Sequence, residues 1–343
     1  MSMPGEPETA AVREAVSAVF GVGVEIARDP WKLAGGTMHD MWAVDIARGG
    51  ERIELVVRTS PRVRDDLTVA RREFETMSES RRRGVIAPAV HGVGATSSGE
   101  PYLVVGRVQG ETSPRPLLRD PELAEARRRI LPQLAASLVT IHSIRPADLD
   151  VALDSPAPGE EPLLAQLRGL TLKYDEDRLE RHAVIEWALR WVRRQVQASP
   201  ARASEPVLVH GDFRVGNIMY DRDGLVAVLD WEGAHAGDPL EDLAWFCVRV
   251  WRFGQDRLEA GGLAQREDWL RAYEEASGRE VDRPRFALWE ILCNIRWAVI
   301  TLNQVKAHID GTVRSQELAA IGRRTGETEL EILRLVQQYK DGH

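Results

Sequence analysis

The sequence predicts an α+β chain, with an antiparallel sheet in the first third and a mainly helical remainder. Three observations carry this. Between residues 31 and 108, short apolar runs are broken by Gly, Ser and Asp turns, the pattern of strands and hairpins. From residue 121 onward the apolar residues mostly follow helical spacing. Residues 207–232 (VLVHGDFRVGNIMYDRDGLVAVLDWE) interrupt that helical region with two apolar runs around a polar loop.

Taken in order, residues 7–20 (PETAAVREAVSAVF) have helical periodicity and stop before Gly21-Val22-Gly23, which predicts an N-terminal helix. The period then changes, and 31–36, 41–47 and 53–59 predict three strands, the last two joined at Gly49-Gly50. The first two flank a glycine turn, Ala34-Gly35-Gly36-Thr37-Met38-His39-Asp40. A charged helix is expected over 65–83, and two further strands over 88–93 and 102–108 around a Ser/Gly turn. Residues 122–145 predict a helix that Pro132 should kink or restart. A Pro/Asp/Gly-rich connection at 146–161 and helices near 162–170 and 178–198 lead to the central stretch. Within it, 207–209 reads as a strand, followed by a loop and a hairpin whose second strand ends at Asp230. Beyond it, Asp238 and Pro239 suit the N-cap and first position of a helix. Helices at 239–253, 263–277, 284–309 and 315–339 complete the chain, with GREVDRP as a linker.

The central stretch carries the chemistry. Phosphoryl transfer to a hydroxyl needs a carboxylate to take the proton and a divalent cation on the phosphates. Mg²⁺ takes hard oxygen ligands, which a carboxylate and a carboxamide supply. Protein kinases place the base Asp, a metal-binding Asn five positions later, and a second metal-binding Asp after a following strand. Asp212, Asn217 and Asp230 occupy those positions in order. Gly211 between His210 and Asp212, and Leu-Asp-Trp in place of Asp-Phe-Gly, depart from protein kinases.

On these residues the stretch resembles the aminoglycoside phosphotransferase and choline kinase-like enzymes, which share His-Gly-Asp-x-x-x-x-Asn and a downstream Asp. HGDFRVGN followed by LDWE, and the last part of the chain, are more similar still to phosphotransferase domains fused to acyl-CoA dehydrogenases. The resemblance implies a two-lobed protein kinase-like fold: a small antiparallel-sheet lobe at 1–106 for the nucleotide and a large helical lobe at 107–343 for catalysis and acceptor binding. It implies ATP or GTP as donor, Mg²⁺ on Asn217 and Asp230, and Asp212 as the catalytic base. It assigns Gly35, Gly36 and Thr37 to the loop over the phosphates, and Val105 and Val108 to the segment along the adenine. Arg58 stands where the family often has a phosphate-binding Lys, with Glu73 as its ion-pair partner and Glu75 as the competing choice. The full G-x-G-x-x-G pattern is absent, and Gly106 replaces a commonly acidic residue. Asp242 is implied to brace the catalytic loop, while His142 reads as a packed, hydrogen-bonded histidine. Arg214, Trp231, Glu232 and Arg296 are the candidate acceptor-side residues.

A chain of 343 residues, 43% hydrophobic and 29% charged, can bury a sizeable core. The net charge of −8 speaks against non-specific nucleic-acid binding, which requires a basic face. No apolar run of about 18 residues spans a bilayer, and the acidic N-terminus lacks a signal pattern. Cys247 and Cys293 without CxxC spacing fit a reduced, cytoplasmic setting. Oligomeric state is not readable. The leading expectation is an O-phosphotransferase acting on a small hydroxylated molecule. Because the helices after 263 carry Arg271, Arg285, Arg296 and Lys306, that acceptor is read as neutral or anionic, such as a hydroxyacyl thioester or metabolite, rather than an aminoglycoside. Two alternatives stand beside it. One is a nucleotide-binding regulatory module without catalysis. The other is a metal-dependent hydrolase built on His210, Asp212 and Asp230.

Overall fold

The computed structural model describes residues 6–33, 39–59, 67–198 and 205–342. In chain order it begins with α1 (Glu6–Phe20), β1 (Glu25–Lys32), β2 (Asp40–Arg48), β3 (Glu51–Thr59), α2 (Leu67–Arg82), β4 (Val90–Ala95) and β5 (Pro101–Gly106). Next come α3 (Pro114–Arg119), α4 (Ala124–Ile141), α5 (Pro162–Asp177) and α6 (Ala183–Ala198). The central stretch forms β6 (Val207–Val209), β7 (Ile218–Asp221), β8 (Gly224–Val228) and β9 (His235–Gly237). The chain ends with α7 (Leu240–Cys247), α8 (Arg266–Ser277), α9 (Arg283–Ile309), α10 (Gln316–Gly322) and α11 (Thr325–Gly342).

These elements form two compact units. The first comprises Met1–Thr112, Pro146–Leu153 and Asn217–Ala234; the second comprises Ser113–Arg145, Asp154–Gly216 and His235–His343. The expected boundary after residue 106 falls at the end of β5, whereas the first unit also takes in three later segments.

The first unit is built on a five-stranded antiparallel sheet of order β1-β2-β3-β5-β4. Side chains alternate across a strand, so Trp42, Val44 and Ile46 of β2, Leu55 and Val57 of β3, and Tyr102 and Val104 of β5 form an apolar face. Val12, Ala15 and Val16 of α1, at the spacing of one helix face, are buried against it. Burying an aliphatic side chain of this size contributes about 1.5–3 kcal/mol. The first strand starts earlier than expected, at Glu25 rather than near residue 31. Its charges and Pro30 disguise it in the sequence. As an edge strand it tolerates the proline, and its pairing to β2 shifts register on either side of Arg28. The β7–β8 hairpin is tied into this unit by backbone bonds: Glu111 and Tyr220 exchange N–H···O contacts of 2.8 and 3.0 Å, and Val228 N–H donates to Ile86 O at 2.8 Å.

In the second unit the 27-residue α9 is apolar on most of its circumference because α5, α6, α7, α10 and α11 all pack on it. Asp282 caps its start, accepting from Arg285 N–H at 3.0 Å. Helix α4 continues through Pro132 rather than restarting there. The expected helix at 239–253 is shorter, because α7 ends at Cys247 and a 3-10 turn follows at Arg249–Arg252. The expected final helix is two helices, α10 and α11. Among the described residues no helix is long and apolar enough to cross a membrane.

Candidate active site

The first unit holds the candidate phosphate and metal groups. Residues Asp221 and Gly224 close the β7–β8 turn, and Ile218 pairs with Val228 at the other end. Leu229 N–H then donates to Asn217 O at 2.9 Å, so Asn217 and Asp230 stand at the same end of the hairpin. Asp230 is left-handed (φ 67°, ψ 67°), a conformation that L-residues adopt under strain and that clusters at functional sites. Among the described residues no group of three or more His, Cys, Asp or Glu is arranged to hold a metal ion. A carboxylate and a carboxamide at one hairpin end nevertheless suit Mg²⁺, which keeps waters and substrate phosphates among its ligands.

Arg58 on β3 and Glu73 on α2 are both buried, and Arg58 Nη2 lies 2.6 Å from Glu73 Oε2 as a charge contact without an aligned hydrogen bond. Burial pushes the Glu73 carboxyl up to about 7; Arg58 pulls it back, while Asp230 and Glu232 add to the rise. Glu232, expected on the acceptor side, instead lies 2.9 Å from His39 Nε2 and 3.8 Å from Arg58 Nη1. The His39 contact outweighs the opposing effect of burial and holds the Glu232 carboxyl below its ordinary range, with Arg58 adding to the fall. His39 is a partner that pattern reading missed, since a histidine at the end of a glycine turn carries no local signal of a distant carboxylate. Gly35, Gly36 and Thr37 lie outside the described residues. Val105 lies on β5, paired with Val56 and Val90, and Val108 follows the strand. Arg107 between them is fixed by ion pairs to Asp45 (2.9 Å) and Glu54 (2.8 Å). Trp231, expected to line the acceptor pocket, is instead fully buried in the 3-10 turn after Asp230, and its indole N–H donates to Val228 O at 3.1 Å.

The second unit holds the catalytic-type loop. Strand β6 pairs antiparallel with β9 and delivers His210-Gly211-Asp212, with Gly211 at φ +80° where a side chain would be strained. Asp242 of α7, fully buried, accepts the amides of His210 (2.8 Å) and Gly211 (2.9 Å), one on each oxygen. Its Oδ2 also lies 3.2 Å from His142 Nε2, and His142 Nδ1 lies 2.9 Å from the Tyr273 hydroxyl. Burial alone would raise the Asp242 carboxyl. The bonds and charge of His142 and His210 outweigh it and leave the group below its ordinary range.

Asp212 is gripped from two sides. The Trp245 indole N–H donates to Oδ1 at 2.6 Å, and Arg214 Nε lies 3.2 Å from both oxygens. Trp245, on α7, was not among the candidates, because a contact spanning 33 residues leaves no periodic trace. Arg214 also lies over the Trp251 ring, 4.5 Å from its centroid. Arg296 is engaged within the protein: Nη2 donates to Gly211 O (2.9 Å), Nη1 to Glu241 Oε1 (3.0 Å), and its guanidinium lies over Trp245 at 4.5 Å. Pro239, not Asp238, is the N-cap of α7, and Asp238 precedes it. One Asp238 oxygen accepts Leu240 N–H at 3.0 Å, while the other accepts from Arg285 (2.8 and 3.0 Å) and the Trp289 indole (3.2 Å).

Residues 32–289 match the profile of the "Phosphotransferase enzyme family". The chain is 29% identical over 186 residues to mouse acyl-CoA dehydrogenase family member 10, covering 52% of this chain and 16% of that protein. It is 25% identical over 247 residues to mouse acyl-CoA dehydrogenase family member 11, covering 68% and 30%. The chain thus spans less than a third of the length of these relatives. Among solved structures, a putative aminoglycoside phosphotransferase from Ralstonia eutropha is similar with a TM-score of 0.71 and 19% identity, over 96% of this chain and 98% of that one. A thermostable mutant of aminoglycoside phosphotransferase APH(4)-Ia, solved in a ternary complex with AMP-PNP and hygromycin B, is similar with a TM-score of 0.61 and 20% identity, over 95% and 98%.

Proposed function

The chain belongs to the phosphotransferase enzyme family and has its kinase-like fold, and from that premise we propose that it transfers the terminal phosphoryl group of ATP or GTP to a hydroxyl of a small molecule. Asp212 takes the hydroxyl proton as the oxygen bonds to phosphorus and the nucleoside diphosphate leaves. Asn217 and Asp230 hold Mg²⁺, which when bound neutralises charge on the phosphate oxygens. Arg58, held by Glu73 at 2.6 Å, binds the donor phosphates, and Val105 and Val108 run along the base. Such transition states are loose, so positioning and charge neutralisation supply most of the rate. The observation that carries this reading is the hairpin end shared by Asn217 and Asp230, joined through the 2.9 Å Leu229–Asn217 bond.

The acceptor is a neutral or anionic hydroxylated compound. A hydroxyacyl thioester is the leading case, because the curated relatives are acyl-CoA dehydrogenases. A cytoplasmic setting, where nucleotide is supplied and buried Cys247 and Cys293 stay reduced, goes with it. The test is consumption of Mg·ATP and Mg·GTP across aminoglycosides, macrolides, choline, sugars and hydroxyacyl-CoA. Turnover with at least one acceptor, lost in Asp230→Ala, is expected; undiminished turnover by that variant overturns the assignment. One observation favours the second reading, a nucleotide-binding regulatory module. Arg58 already faces two carboxylates, Glu73 and Glu232, which compete with a phosphate for its charge. Tight Mg·ATP binding with no transfer to any acceptor would select it.

A further inference from the structure

The carboxylate of Asp212 is not left to choose its own orientation. An aspartate carboxylate rotates in a broad, shallow well, so its aim depends on what its oxygens touch. Here the Trp245 indole N–H holds Oδ1 at 2.6 Å, a shorter and one-sided contact beside Arg214 Nε, which lies 3.2 Å from both oxygens. Trp245 is itself fixed. It is 2% exposed, Arg296 lies over its ring, and Trp251 meets it at 5.5 Å and 60°. Arg296 in turn grips the Gly211 carbonyl at 2.9 Å, immediately before Asp212. The contacts close a circuit from the loop backbone through Arg296 and the indole back to the Asp212 carboxylate. An indole N–H is a donor only and is normally satisfied when buried, so it restrains the carboxylate without placing a full charge on it.

We infer that Trp245 is a positioning residue for phosphoryl transfer, its N–H setting the orientation of the Asp212 carboxylate toward the acceptor hydroxyl, with Arg296 locking that indole to the catalytic loop. The inference rests on the reading of Asp212 as the base. It also moves Arg296 from the acceptor to the loop's support.

Trp245→Phe keeps the ring against Arg296 and Trp251 and deletes only the donor. With the best acceptor from the screen, or water where none is found, kcat falls on the order of 10- to 100-fold while the nucleotide KM is unchanged. A kcat equal to wild type, or a loss shared with the nucleotide KM, overturns the inference. In an Asp212→Asn background, Trp245→Phe should cost nothing further; an equal loss there makes the residue merely structural and also overturns it. A second measurement needs no turnover and no Trp245 variant. In ¹H–¹⁵N spectra of the full chain, Asp212→Ala, which removes the acceptor oxygen, should move the Trp245 signal most strongly among the ten indole resonances. If the Trp245 signal stays in place, the contact and the inference fail. A wild-type chain that consumes neither Mg·ATP nor Mg·GTP under any condition fails differently: it overturns the phosphotransfer reading, and the indole spectrum still decides whether the hydrogen bond forms.

Discussion

Asp230 sits in a left-handed backbone conformation while ending the hairpin at which Asn217 also lies. That combination separates stability from activity at a single residue. Glycine adopts this conformation without the steric cost that a Cβ brings. Asp230→Gly should therefore raise unfolding free energy by about 1 kcal/mol while abolishing phosphoryl transfer, because the carboxylate is gone. Thermal unfolding and a nucleotide-consumption assay on the same preparation check it, and a glycine variant that is destabilised shows that the carboxylate itself holds the turn. Asp242 gives a pH argument of opposite character. Its folded-state pKa lies below the ordinary value of 3.8 because His142, His210 and the loop amides outweigh burial. Between the folded and unfolded values the unfolded chain binds the extra proton, so this group's stabilisation is complete above about pH 4 and lost as pH falls through the folded value. Asp242→Asn should lower the melting temperature at pH 7 and flatten its fall in acid. Parallel melting profiles for the two proteins from pH 7 to 3 would rule the linkage out.

At the level of elements, α4 contains an internal contradiction that can be measured. Pro132 lies on an exposed position inside a helix running from Ala124 to Ile141, where it removes one backbone donor and crowds the preceding turn. Pro132→Ala should stabilise the chain by about 1–3 kcal/mol, read as a higher urea midpoint with unchanged slope; a lower midpoint would mean the ring packs favourably on α4. The same helix shows how far pattern reading reaches. Propensity marks Pro132 as a break, yet Ala126, Ile130, Leu134, Ala135, Leu138 and Ile141 are all buried on one face and carry the helix across it. Local spacing made the β7–β8 hairpin legible, because the Asp/Gly turn between two apolar runs sets its register and thereby brings Asn217 and Asp230 to one end. It could not foretell that Trp231, next in the chain, is buried, since that depends on the 3-10 turn after Asp230 and on the Val228 carbonyl its indole reaches. Nor could it foretell β1, whose charged residues and proline are those of an edge strand, or the Trp245–Asp212 contact, which depends on where α7 packs.

Across the whole molecule the charge is −8, but its distribution matters more than its sum for the choice of acceptor. In the second unit Arg214 and Trp245 touch the Asp212 carboxylate, Arg214 lies over Trp251, and Arg296 lies over Trp245 while committed to Glu241 and the Gly211 carbonyl. The Arg214 guanidinium and the indoles beside it make a poor seat for a polycation, since like charges brought together cost several kcal/mol unless carboxylates intervene. The carboxylates near these arginines are already engaged: Asp212 by Trp245 and Arg214, and Glu241 by Arg296 and His235. Similarity at 20% identity to a phosphotransferase crystallised with hygromycin B reports a shared fold and does not carry that acceptor across. Aminoglycosides should therefore fail to raise nucleotide consumption above the rate with water, whereas a hydroxylated carboxylate or thioester should raise it. For an anionic acceptor, KM should climb as salt increases from 0.05 to about 0.5 M, because exposed charges are screened beyond about 10 Å at 0.1 M. A neutral acceptor would show no such climb. Saturable, rapid phosphorylation of a polycationic aminoglycoside would mean that carboxylates elsewhere govern acceptor binding, and that Arg214, like Arg296, serves only the loop.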